Sequence, residues 1–558
     1  MIVILLFFVL LCGLAPLLGK YIADVFEGKV CFARKIVGPI ESLCFRVCRI
    51  DVKEEMNWVC YAKSLVIFTV FGFIALFLLQ LFQHVLPLNP QHLKGVSWLL
   101  AFNTAASFVT NTNWQAYAGE TTLSYLTQML GLTVQNFLSA ASGMSVLFAL
   151  IRGLTRKSCE TLGNFWSDLV RSVLYVFLPL SIILALVLIS EGTIQSLSSY
   201  VEVSTLEGKN QVIPQGPVAS QVAIKQLGTN GGGFFNVNSA HPFENPSAFS
   251  NFLEVFAIIL IPASLVFTYG SLTQSKRHGY LLFAVMLLFF VLGNSISMIS
   301  SHIYNPVIDI YPIMEGVETR FGIANSTLWI NATTATANGS VNTMISSASP
   351  FVGGIALFNI MLGELIFGGV GVGLCSMIMF VLLTVFLSGL MVGRTPEYLG
   401  KKVEKREMIW VMIAILIPGA LILIGSGISF LVPAAISSIK NQGPHGFSEV
   451  LYAFVSSAGN NGSAFAGLNV NTSYYNSVLA VVMLLGRLGI LIPTLVVSGL
   501  LVRKKITPFS VGTFSTSSFL FAILLFSVII IVGALTFFPA LSLGPIVEHL
   551  LMVEGRSF

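Results

Sequence analysis

The sequence predicts an all-α polytopic membrane protein of about ten transmembrane helices, with four span, pore loop, span repeats in a pseudo-fourfold arrangement. Three observations predict it. Only 9% of the 558 residues are charged and 55% are hydrophobic, whereas a soluble globular chain carries roughly 25% charge. Ten stretches are apolar over the length of about 20 residues that a bilayer-crossing helix needs. The segments between alternate stretches carry four polar turns of one form.

The first stretch, residues 2–22, opens Met1-Ile-Val-Ile-Leu-Leu without a basic start and runs on to about Gly19. It therefore reads as a span and not a signal peptide. The others lie at about 62–86, 128–151, 169–190, 251–271, 279–302, 366–392, 408–431, 476–502 and 518–541. The basic clusters are Lys29/Arg34/Lys35/Arg46/Arg49, Arg152/Arg156/Lys157/Arg171, Lys276/Arg277/His278, Arg394/Lys401/Lys402/Lys405/Arg406 and Arg503/Lys504/Lys505. Each follows an odd-numbered span, which places these loops in the cytoplasm and both termini outside. The seven cysteines then lie in helices or on the reducing side, and their odd number argues against a disulfide framework. The expected division is a first helix and loop (1–61), four repeats (62–168, 169–278, 279–407, 408–510) and a final helix (511–558).

The segments 87–127, 191–250, 303–365 and 432–475 are then extracytoplasmic. Each holds a short apolar stretch and a turn rich in Thr, Asn, Gly and Ser: Ala105 to Gln115, Ile224 to Asn236, Ser326 to Ser340, and Glu449 to Ser463. Ordinary surface loops are the alternative, with Asn331-Ala-Thr and Asn338-Gly-Ser matching the glycosylation acceptor pattern. Their common form favours re-entrant pore loops, because repeated units define an architecture. Irregular backbone at membrane depth is tolerated only inside protein or along a watery cavity. Glycine lets carbonyls approach an ion, and Thr and Asn add neutral oxygens. Such ligands suit a weakly held monovalent cation, and half-helices aim their negative C-terminal ends at it. Composition alone does not choose between potassium and sodium.

The strings Gly228-Thr-Asn-Gly-Gly-Gly-Phe-Phe-Asn, Ser239-Ala-His-Pro-Phe-Glu-Asn-Pro, Gly393-Arg-Thr-Pro-Glu-Tyr-Leu-Gly-Lys-Lys and Gly443-Pro-His-Gly-Phe-Ser-Glu-Val-Leu-Tyr-Ala resemble the potassium-binding chain of the bacterial Kdp-type ATP-driven potassium pump, the KdpA family. The resemblance runs from the first span to the segment Leu541-Ser-Leu-Gly-Pro. It implies the potassium-channel-like fold of Trk and Ktr transporters and an inner-membrane location. It further implies assembly with three other chains of the Kdp pump, namely its P-type ATPase subunit, its single-span subunit and its small peptide subunit, all surrounded by membrane lipid. By the same resemblance potassium is held by Asn111, Thr112 and Gln115, by Thr229, Asn230, Gly231 and Gly232, by Ala337, Asn338 and Gly339, and by Asn460, Asn461 and Gly462. Family members often show Ser-Cys-Gly at the third of these places.

Four glycines fall within Gly368–Gly373. Each costs a helix about 1 kcal/mol relative to alanine, so the run breaks the seventh span into a loop beneath the turns, or else serves close helix packing. The resemblance implies a gate at Gly369 and Gly371. Arg487 lies midway along the ninth span and Glu364 at the mouth of the seventh, where ionisable groups mark function. A fixed charge at Arg487 would repel a second ion. Arg394, Lys401 and Lys402 mark the cytoplasmic interface with the ATPase partner.

The chain contains no Asp-Lys-Thr-Gly-Thr, and no Gly-Lys pair is followed by Ser or Thr. No nucleotide is therefore expected on this chain. The mild net charge of +5 gives no basic stripe for nucleic acid. Two other readings stay open: an intramembrane enzyme using a Ser463–His445 dyad, and a stand-alone Trk/Ktr-like potassium channel or carrier.

Overall fold

The computed structural model describes all residues except 1, 30, 31, 364, 394, 508–514 and 557–558. Glu364 and Arg394 lie outside the described residues. Among the described residues ten helices are long and apolar enough to span a membrane: Ile2–Phe26, Trp58–Leu81, Thr127–Thr155, Phe165–Glu191, Ala248–Leu272, Lys276–Ser301, Val372–Met391, Lys405–Ser429, Ser473–Val502 and Phe519–Val553. Each overlaps one stretch expected from hydropathy. Several open on a side-chain cap from the sequence, with Asn57 accepting from the Cys60 amide, Thr472 from Tyr475 and Ser518 from Phe521. Such caps satisfy amides that lack an intrahelical partner.

Burial sorts the spans into an inner and an outer ring. The third, fifth, seventh and ninth are buried over 83%, 83%, 78% and 67% of their apolar windows, and the second, fourth, sixth and eighth over 22%, 39%, 50% and 33%. Each polar loop therefore joins an outer span to the inner span that follows it. The first span packs on the fifth: Thr268 Oγ1 donates to the Gly19 carbonyl at 2.9 Å, and Phe7 sits edge-on to Phe252 and Phe256. The tenth lies outside, with 22% of its window buried.

The seventh span is not continuous. A half-helix, Pro350–Met361, is separated by a glycine-rich loop from the helix that begins at Val372. The expected break at the glycine run is thus observed. Other elements escape hydropathy. An amphipathic helix, Phe32–Val47, follows the first span and is tied to the fourth through Glu41, which accepts from Arg171 Nε at 2.8 Å and Tyr175 Oη at 2.7 Å. An antiparallel hairpin pairs Val201–Ser204 with Asn210–Ile213.

The basic loops meet one another. Arg156 pairs with Glu55, Arg503 with Glu160 and Lys504 with Glu404, while His278 bonds the Tyr398 hydroxyl and the Thr516 carbonyl. The long polar loops also interlock, with Tyr200 Oη donating to the Glu120 carbonyl and Arg320 to those of Ala240 and Asn245. Asn331 and Asn338 are fully buried, so these acceptor patterns do not stand on surface loops. All six described cysteines are free.

Candidate functional site

Four short helices dip into the bundle: Trp98–Val109, Val218–Leu227, Gly322–Ala335 and Gly443–Ala458. At a rise of about 1.5 Å per residue they cross half or more of a bilayer core about 30 Å thick. Each ends in the same way. The amide of Thr112, Asn230, Asn338 or Asn461 bonds a carbonyl five residues back, on Ser107, Lys225, Thr333 or Ser456, at 2.8 to 3.1 Å. The residues on either side of each of these have positive φ: Asn111 and Asn113, Thr229 and Gly231, Ala337 and Gly339, Asn460 and Gly462.

This alternation carries the chemistry. In the first two turns consecutive amides converge on one helix carbonyl, those of Thr112 and Asn113 on Ser107 and those of Asn230 and Gly231 on Lys225. Amides gathered on one side form a nest, which leaves the carbonyls of the turn to face the other way. The third residue of each turn, Asn113, Gly231, Gly339 and Gly462, lines one cavity of about 490 Å³. The four turns therefore meet around a common centre, each at the inner end of a half-helix whose negative pole points there.

The turns touch in chain order. A Cβ on Gly231 would overlap the Asn338 carbonyl oxygen, one on Gly339 that of Asn461, and one on Gly462 that of Thr112. The first and second turns close the ring: Asn111 Nδ2 donates to the carbonyls of Gly228 and Thr229, and Asn230 Nδ2 donates to Asn111 Oδ1 at 2.6 Å. Positive φ and lack of space both require glycine at the third place in three of the four turns.

Several side chains of the turns are engaged within the ring. Asn111 Oδ1 is engaged by Asn230 and Ser139, and Thr112 Oγ1 by Thr110 and Asn460. Gln115 clamps the Gly233 backbone, donating to its carbonyl and accepting from its amide, both at 3.0 Å. Asn338 and Asn461 donate to the Lys225 and Thr333 carbonyls of the preceding pore helix. These amides fasten one turn to the next, while Asn113 Oδ1, Asn230 Oδ1 and Asn460 Oδ1 are buried without a hydrogen-bond partner. Gly232 lies beyond the alternating triplet, against Asn113. Asn113 itself is missed from sequence, because asparagine stands where the other turns have glycine; the signal was the register of the repeat.

The glycine loop lies directly under this ring. The Val370 amide donates to Thr229 Oγ1 at 3.0 Å and the Gly368 amide to the Ala335 carbonyl at 2.9 Å. Gly371 has a φ of 82° and is seated on the Gly143 carbonyl of the third span. Arg487 is buried and reaches the same place, with Nη2 donating to the Ser139 carbonyl at 3.2 Å. Gly369, Gly371 and Arg487 are therefore brought together below the turns.

Lys401 does not face a partner. Fully buried, its ammonium donates to the carbonyls of Gly153, Arg156 and Leu501, at the ends of the third and ninth spans. Unpaired C-terminal helix carbonyls draw a cation inward. Burial, with Lys504 nearby, pushes its pKa down to about 8. Lys402 remains exposed. The Ser463–His445 dyad is absent: Ser463 Oγ bonds Tyr452 and Asn461, while His445 Nδ1 meets Glu548 at 2.8 Å.

Residues 5–550 match the family described as potassium-transporting ATPase A subunit. Leptospira interrogans, serovar copenhageni, has a protein 55% identical over 520 residues, covering 93% of each chain. One of Rhodospirillum centenum is 51% identical over 100% of this chain and 98% of its own. Another, of Pseudomonas aeruginosa, is 51% identical over 98% of both. All three are named potassium-transporting ATPase potassium-binding subunit. The crystal structure of the potassium transporter TrkH from Vibrio parahaemolyticus superposes with a TM-score of 0.54 at 15% identity, covering 88% of this chain and 95% of that one. That likeness is one of fold.

Proposed function

This chain belongs to the family of potassium-transporting ATPase A subunits, and from that premise we propose that its four turns form a selectivity filter. Extracytoplasmic potassium enters the cavity above the ring and exchanges its water for backbone oxygens. It then passes into the membrane as the cargo of an ATP-driven import complex. The chain acts as the ion-binding, translocating subunit, and ATP hydrolysis belongs to another chain. The observation that carries this reading is the convergence of Asn113, Gly231, Gly339 and Gly462 on one cavity, with uncharged ligands that hold an alkali cation weakly enough to release it.

In finer detail, the carbonyls of Asn111 and Thr112, of Thr229, Asn230 and Gly231, of Ala337, Asn338 and Gly339, and of Asn460, Asn461 and Gly462 coordinate the ion. Gln115 and Gly232 support the ring. Gly369 and Gly371 gate the path and Arg487 repels a second ion beneath it. Lys402, with Arg394, meets the ATPase partner. The partners are the P-type ATPase subunit, the single-span subunit and the small peptide subunit of a pump in a bacterial inner membrane. Both termini face outward, and the four repeats follow the boundaries 62–168, 169–278, 279–407 and 408–510.

Gly231→Asp tests the filter. A carboxylate there raises the potassium concentration needed for half-maximal ATPase activity of the purified complex and weakens discrimination against sodium. Unchanged values would remove Gly231 from the path. The TrkH-like fold keeps a stand-alone carrier as the second reading. The pump reading requires a co-purifying ATPase chain, and it fails if this chain alone restores potassium uptake to transport-deficient cells.

A further inference from the structure

The ring is fourfold in backbone and not in chemistry. The residue whose carbonyl receives the turn amides is Ser107, Thr333 or Ser456 in three repeats and Lys225 in the second. Lys225 is fully buried, as are Glu244 and Glu254 nearby. A bare ammonium behind a cation filter would oppose the ion, and burial without partners is costly for any charge. Its partners are specific. The ammonium is ion-paired with Glu244 and donates to Asn238 Oδ1 at 2.7 Å.

Because Asn238 Oδ1 faces the ammonium, its Nδ2 is turned the other way, and it donates to the Gly231 carbonyl at 2.7 Å. The charge thus dictates which end of the amide meets the turn. The other Glu244 oxygen accepts from the Phe235 amide at 2.9 Å, gripping the strand that leaves the turn. The neighbouring Gln226 extends the support. It donates to Glu254 at 2.8 Å and accepts from Ser340, which in turn bonds Asn338 of the third turn.

We propose that Lys225, acting with Glu244 through Asn238, is a positioning residue that holds the Gly231 peptide of the second turn at the spacing potassium requires. Lys225 and Glu244 stand behind the turn and do not line the cavity, while Asn238, at the edge of the cavity, holds the Gly231 carbonyl. The set has no charged counterpart at the equivalent place in the other three turns, where Ser107, Thr333 and Ser456 stand. This inference rests on the filter reading above.

The test uses the purified complex with its ATPase chain, and potassium or sodium as the probe. Asn238→Ala cuts the relay while sparing the buried pair. It is expected to raise half-saturating potassium about tenfold, the scale of one charge-supported hydrogen bond, with the maximal rate within about twofold. The double variant Lys225→Met/Glu244→Gln removes both charges together and is expected to match it, since charge balance alone does not restore the hold on Asn238. Half-saturation unchanged in both variants would overturn the proposal. So would a fall in maximal rate and complex yield without a shift in half-saturation, which marks mere scaffolding. Gly231→Asp serves as the control: if it too leaves potassium dependence unchanged, the filter reading has failed and the positioning role falls with it.

Discussion

Asn113 is the one non-glycine among the third residues of the four turns, and energies of similar size oppose each other there. Its φ of 53° is a left-handed conformation that costs roughly 1 kcal/mol. Its Nδ2 donates to Asn136 Oδ1 at 2.7 Å, worth about 1 kcal/mol. Asn113→Gly therefore exchanges one for the other, and half-saturating potassium should stay within about threefold. Gln115→Ala has no such compensation. It frees both polar groups of Gly233 and should raise half-saturating potassium about tenfold. Potassium-stimulated ATPase activity of both variants, measured side by side, decides this. At this scale the turn positions were legible where glycine marked them. Gln115 was found but its task was not, because composition reveals an amide and only the fold reveals what it bonds.

Among the elements, the loop before Val372 is the one whose rigidity is most exposed to test. Gly371 combines positive φ with contact on the Gly143 carbonyl, so Gly371→Ala carries about 1–3 kcal/mol of strain plus a clash. Rubidium uptake in transport-deficient cells should drop sharply, while assembly of the complex persists. A second element-scale prediction concerns the fourth pore helix and the end of the last span. Burial disfavours the charged form of His445, but its hydrogen bond to Glu548 and the Glu449 charge outweigh it and raise the pKa above the usual value near 6.5. A raised folded pKa means that the stabilisation is fully present below about pH 6.5 and fades as pH rises through the folded value. The protection of amides in Val547–Val553, taken relative to their intrinsic base-catalysed exchange rates, should therefore be greater at low pH than at high pH, and His445→Gln should abolish that difference in protection. The half-helices and their turns were readable from apolar stretches followed by Thr, Asn and Gly. The Phe32–Val47 helix and the hairpin at Val201–Ile213 were not, because neither crosses the membrane and short local pairings leave little periodic signal.

Across the whole molecule, Lys401 closes the end remote from the filter. Three carbonyls from the third and ninth spans converge on it. Removing the ammonium leaves them unpaired at a cost of about 3 kcal/mol. Lys401→Met should therefore lower the thermal unfolding midpoint of the detergent-solubilised complex, and by more than Lys402→Met, whose side chain is exposed on this chain. On sequence alone both lysines fall at a partner surface, since a run of basic residues after a span looks the same whether its members face water or cap helices.

Hydropathy and the repeat by themselves determined the ten spans, the four polar turns and the broken seventh span. These follow from local composition, because the bilayer punishes every unsatisfied backbone group and so dictates helix length and where irregular backbone can survive. Only the tertiary structure decided that side-chain amides fasten one turn to the next, that Asn113 stands in for a glycine, and that buried charges stand behind the second turn. Each of these depends on which groups from distant repeats come within hydrogen-bonding distance, and that is settled by packing in three dimensions.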